Sequence, residues 1–217
     1  MIPFADLLLA FVFLSVMVSL ASNRLMELVK IMAFQGVVVS ILPMALEHGH
    51  GIEAASLEFL TVMLLIKGAA MPAALYIAVK KVANRREVEP YIGYNASIFS
   101  GLIIIMAASF ISHRLSPYMP AANALLLPAG LTTIGAGFFL MMARHKAITQ
   151  VIGYLMLENG IYLMGAILPH KTHSQYILEF GILLDLLAGV MIMGIILYHI
   201  NKTFDDVDTG ILGSLKD

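Results

Sequence analysis

The sequence predicts an all-α integral membrane protein, a single membrane domain over 1–217 built as a bundle of about seven transmembrane helices. Hydrophobic residues make up 60% of the 217 positions and charged residues only 12%, where a soluble domain carries about 25% charged residues. So little polar surface cannot face water, which leaves lipid as the solvent. The apolar residues also fall in long runs, and a spanning helix needs about 20 mostly apolar residues.

The first run, Phe4–Leu20, lacks a basic leading region, carries Asp6 and precedes Arg24. It reads as a retained helix rather than a cleaved signal peptide. Glu27–Leu46 follows, with Glu27 and Lys30 in its first turns. The remaining runs are Leu57–Val79, Ile92–Ile111, Ala121–Ala143, Ala147–Leu168 and Tyr176–Ile200. The connections hold the polar and breaking residues, and only Arg144, His145 and Lys146 join the fifth run to the sixth. No linker or low-complexity stretch divides the chain.

Basic residues orient such a bundle. Alternate connections place Arg24, Lys30, Lys80, Lys81, Arg85, Arg86, Arg144, Lys146, Lys202 and Lys216 on one side, and only Arg114 and Lys171 on the other. That bias predicts the N-terminus outside and the C-terminus in the cytoplasm. It also favours an odd number of helices.

Composition excludes several functions. A net charge of −1 offers no basic field for nucleic acid. The absence of cysteine excludes disulfides, thiolate metal sites and iron–sulfur ligation. The seven histidines fall in connections or at span ends, which argues against a haem held within the spans. His48 with His50, and His170 with His173, lack the further ligands a metal site needs.

Three charged residues remain inside the runs: Lys67 in the third, Glu158 in the sixth and Asp185 in the seventh. Each costs roughly 2.5–3.5 kcal/mol on insertion scales and normally faces protein or water. Each lies about nine or ten residues from the outer end of its run, roughly 15 Å deep at about 1.5 Å per residue. Three titratable groups at one level, with Asn159 beside Glu158, predict a polar layer that handles a proton or another ion. Paired structural charges are the plainer alternative. Glu58 and Glu179 sit near span ends, where snorkelling accounts for them.

Small residues accompany the acids: Gly153, Gly160 and Gly165 in the sixth run, Gly181, Gly189 and Gly194 in the seventh. They predict close helix packing that would hold Asp185 against a neighbour. Pro72, just after Lys67, predicts a kink with freed carbonyls nearby.

The stretch Gln150–Gly160, Lys67 followed by an apolar run with Pro72, and the tail Gly213–Asp217 resemble the component E membrane subunit of hydrogenase-4 and formate hydrogenlyase-type complexes. The three-helix part, 121–200, is also similar to the K subunit of respiratory complex I and to the small subunit of multisubunit sodium/proton antiporters. The segment 1–112 would then be a four-helix N-terminal extension. Asp185 with Gly189 matches the small family's third-helix carboxylate and glycine, and Gly153 with Asn159 matches its second-helix spacing. The family's second-helix glutamate would fall at Leu155, three residues before Glu158.

The resemblance implies a non-redox, non-catalytic subunit of a complex I-like oxidoreductase in a bacterial or archaeal cell membrane. Its partners would be antiporter-like membrane subunits and cytoplasmic hydrogenase-like subunits, and the latter would carry the nickel–iron and iron–sulfur centres. Glu158, Asp185 and Lys67 would belong to a proton or ion path, supported by Asn159, Gly153, Gly189 and Pro72. Two rivals are a purely structural subunit and a self-contained carrier. A carrier would usually show an internal repeat, and none is visible.

Overall fold

The computed structural model describes residues 4–46, 60–81, 92–117, 123–167, 181, 183–196 and 198, and among these described residues seven helices pack together. They are α1 (Phe4–Ala21), α2 (Leu25–Leu46), α3 (Leu60–Lys80), α4 (Tyr94–Leu115), α5 (Leu126–Ala143), α6 (Ala147–Gly165) and α7 (Leu183–Ile196). The first five are long and apolar enough to cross a membrane. Helix α6 has 19 residues but falls short of those five in apolar content, because Gln150, Glu158 and Asn159 interrupt it. The described part of α7 is a shorter apolar helix. Glu58, Glu179, His48, His50, His170 and His173 lie outside the described residues, as does the Gly213–Asp217 tail.

An acid in the first turn and a base just before it mark the start of α2. Arg24 and Glu27 form an exposed ion pair at 3.1 Å, and Ser22 Oγ donates to the same carboxylate. An acid in the first turn also suits the positive end of the helix dipole.

Helix α6 sits at the centre, packed on α5, α2 and α3, while α4 lies outside against α1 and α5. The α5–α6 seam is made by glycines. A Cβ built on Gly137 would lie 2.6 Å from the Leu157 nitrogen and 2.7 Å from the Gly153 carbonyl oxygen. One built on Gly160 would lie 2.7 Å from the Ile134 nitrogen. Backbone thus meets backbone, which only glycine permits at these positions.

Arg144 is fully buried, although its place in a connection suggests water. Its guanidinium donates to the Leu20 carbonyl at 3.0 Å and stacks 4.4 Å from the Tyr94 ring. One side chain therefore ties the end of α1, the start of α4 and the α5–α6 connection together.

The interior is two apolar cores rather than one. Leu25, Leu28, Met32, Leu75, Val79, Leu140, Ile152, Met156 and Ile192 belong to the first. Leu8, Leu9, Val39, Leu42, Met63, Leu126 and Leu163 belong to the second. Between them on α2 stands Gln35; on α3, Lys67; on α6, Glu158 and Asn159.

Candidate functional site

Lys67 owes its position to an irregular turn. Leu64–Ala70 of α3 is π-helical, and the Met71 N–H donates to the Ile66 carbonyl, five residues back. Proline causes such defects, because it has no N–H and its ring clashes with the carbonyl four residues earlier. Here Pro72 stands two residues past the π segment, so the expected disturbance takes the form of a widened turn. Helix α2 closes on that turn at Gly36, where a Cβ would lie 2.7 Å from the Lys67 carbonyl oxygen.

The three charged residues from three different runs meet. Lys67, Glu158 and Asp185 are 5%, 2% and 4% exposed. Lys67 Nζ donates to Glu158 Oε1 and stands 3.6 Å from Asp185 Oδ1. The second distance is too long for a hydrogen bond but close enough for strong attraction at low dielectric. Among the described residues, Glu158 Oε2 and both Asp185 oxygens have no hydrogen-bond donor. Such groups are rare in folded proteins and mark strain, function or a place for a water or an ion.

Neutral polar groups complete the layer. Gln35 is fully buried and accepts a hydrogen bond from Asn159 Nδ2 at 3.4 Å. A cavity of about 10 Å³, lined in part by Lys67, Asn159, Asp185, Gly36 and Pro72, has room for about one water molecule. Tyr154 Oη donates to the Leu184 carbonyl at 3.2 Å, fastening α7 to α6 beside Asp185.

Gln35, Gly36 and Tyr154 escape the sequence reading. A lone neutral amide in an apolar run costs far less than a charge, so Gln35 stands out less. Its signal was available, since it lies mid-run in α2.

The glycines divide. Gly153 and Gly160 pack tightly, but against α5. Gly189 and Gly194 meet nothing within 4 Å among the described residues, and Gly181 only Met63 Cε at 3.7 Å. Among the described residues, no close approach at these glycines of the seventh run holds Asp185. A lysine reaching a carboxylate needs a gap that glycine contact would close, and Lys67 and Tyr154 hold that region instead.

Among the described residues no three histidines or acids could hold a metal ion.

Compared with known proteins, the chain is 26% identical over 194 residues to an uncharacterized protein of Mycobacterium tuberculosis, covering 89% of this chain and 87% of that one. It is 23% identical over 161 residues to hydrogenase-4 component E of Escherichia coli, covering 73% and 70%. Component E of Shigella flexneri matches equally. The chain is a distant relative of hydrogenase-4 component E. No family model matches, and no solved structure matches.

Proposed function

We propose that this chain is a membrane subunit of a membrane-bound nickel–iron hydrogenase or related complex I-like oxidoreductase, and that Lys67, Glu158 and Asp185 form part of its ion path. The observation that carries this reading is the buried cluster itself. A structural ion pair needs one acid for one base, whereas Lys67 faces two acids. The second acid costs hydration without a full partner, which suggests use rather than support. The distant relation to hydrogenase-4 component E supplies the kind of complex.

The subunit lies in the cell membrane of a bacterium or archaeon, with its N-terminus outside and its C-terminus in the cytoplasm. It performs no redox step. Without cysteine it has no thiolates for nickel–iron or iron–sulfur centres, so those belong to hydrogenase-like partners at the cytoplasmic face. Antiporter-like subunits flank it within the membrane. Gln35, Asn159, Gly153 and Pro72 position the charged groups, and Gly189 lies on the α7 surface beside them.

The experiment is purification through a tag on this chain from mild detergent. Large membrane subunits and cytoplasmic subunits carrying nickel and iron should come with it. Recovery of the chain alone, with neighbouring genes unrelated to hydrogenases or antiporters, would overturn the reading. A reporter active only outside the cell should stay silent when fused at Asp217, and activity there would reverse the orientation.

A further inference from the structure

We infer that the cluster binds one exchangeable proton and that this proton resides on Asp185, while Lys67 and Glu158 form the ion pair. The inference deepens the ion-path reading and rests on it for the place where the ion stands.

Charge bookkeeping comes first. One lysine and two carboxylates leave one negative charge in excess, and all three groups are almost completely buried. Around Asp185, α3 contributes Lys67, α6 contributes Glu158 and Tyr154, and α2 contributes the uncharged Met32 and Gly36 to the shared cavity. No second base stands among these groups. An uncompensated buried charge is the costliest arrangement available, and it is relieved by binding a cation or a proton.

Geometry decides where the proton sits. Lys67 gives its hydrogen bond to Glu158, and an ionised acid gains most from such a charge-assisted bond. Asp185 receives no hydrogen bond from any described residue. A neutral carboxylic acid tolerates that far better than a carboxylate, because it has no net charge to lose from water.

The cavity also selects the cation. Hard metal cations require several oxygen ligands. Here, among the described residues, the cavity-lining side chains supply oxygens only from Asp185 and Asn159, and the Lys67 ammonium lines the same space. A sodium ion would find few side-chain ligands there and meet a positive charge. A proton needs neither.

Transfer balances without further reactants. When Lys67 turns from Glu158 to Asp185, Asp185 releases its proton and becomes the carboxylate of the new ion pair. Glu158 takes up one proton and becomes the neutral acid. The cluster keeps one proton before and after, and one proton has moved between helices α7 and α6.

Infrared spectroscopy of the full chain in lipid at neutral pH tests this through the carbonyl band of a neutral, buried carboxylic acid. One such band is expected, shifting in heavy water. Carboxyl-labelled aspartate should move it, and labelled glutamate should not. Asp185→Asn should abolish it. Glu158→Gln should also abolish it, because Asp185 then ionises to pair with Lys67. Lys67→Gln should roughly double its area, because both acids become neutral. Movement of the band by labelled glutamate, its persistence in Asp185→Asn, or its loss when sodium replaces choline would overturn the assignment. If no band exists but Asp185→Asn still uncouples the complex, the proton assignment falls and the ion path stands.

Discussion

Two seams meet on helix α6, and they are built oppositely. Toward α5 it presents Gly153 and Gly160, and the backbones touch. Toward α3 and α7 it presents Glu158 and Tyr154, and the helices are joined by long side chains around a cavity. The first seam has no slack, because close-packed backbone transmits strain and cannot yield. The second holds one base beside two acids, which on the proton assignment proposed above have two arrangements of charge. Glu158 thus rides on a tightly packed helix, while its partners come from a widened π turn and from a helix whose Gly189 and Gly194 meet no described residue within 4 Å. A bundle that must stay assembled while charges rearrange needs both kinds of contact.

The comparison breaks most visibly at Lys67. Lys67→Met removes the base that keeps Glu158 ionised, so that this buried acid must either stand as an unpaired charge or take up a proton, and should destabilise by up to about 3–5 kcal/mol, read as a large drop in the thermal unfolding midpoint in detergent. Adding Glu158→Gln and Asp185→Asn to the same chain should recover most of that loss, because no buried acid then remains to be held unpaired or protonated. A single substitution as mild as the triple would mean that the seam does not depend on charge.

Next comes the glycine seam. Gly137→Ala places a methyl against the Leu157 nitrogen and Gly153 oxygen, neither of which can move alone. Overpacking of this kind costs about 1–3 kcal/mol, measurable by the same midpoint. Gly189→Ala meets no described residue within 4 Å and should change stability by less than about 0.5 kcal/mol. Equal effects at the two positions would erase the distinction between the seams.

Much of this was legible beforehand, and the reasons differ by residue. Lys67, Glu158 and Asp185 were visible because a charge in an apolar run has a cost that demands a partner. Their common depth followed from helical rise alone. The π turn was not legible, since it depends on Pro72 together with the approach of Gly36 from another helix. Nor was the sorting of glycines, because spacing along a helix does not say which neighbour lies against it. Gly137 and Gly189 look alike in sequence and differ only in what faces them. Nor was the burial of Arg144 legible, because it lies in a three-residue connection that α1 and Tyr94 cover only in the folded bundle.

A smaller effect sharpens the role of the neutral layer. Gln35→Leu removes the acceptor of a 3.4 Å hydrogen bond and leaves the Asn159 amide short of a partner. The cost should be about 1–3 kcal/mol if no water replaces it and smaller if one does. Restoration by Gln35→Glu at low pH, where the acid is neutral, would show that the hydrogen bond rather than side-chain bulk matters.

The central claim is that the charged seam moves ions while the glycine seam only builds the bundle. Ion translocation per assembled complex, measured in sealed vesicles for Glu158→Gln and for Gly137→Ala, tests it most directly. Glu158→Gln keeps shape and removes one titrating group. Its complexes should assemble in normal amount and translocate at least tenfold more slowly. Gly137→Ala complexes should be fewer, yet each should translocate at the unsubstituted rate. Glu158→Gln complexes that translocate at the unsubstituted rate would contradict the claim and make the cluster a structural ion pair.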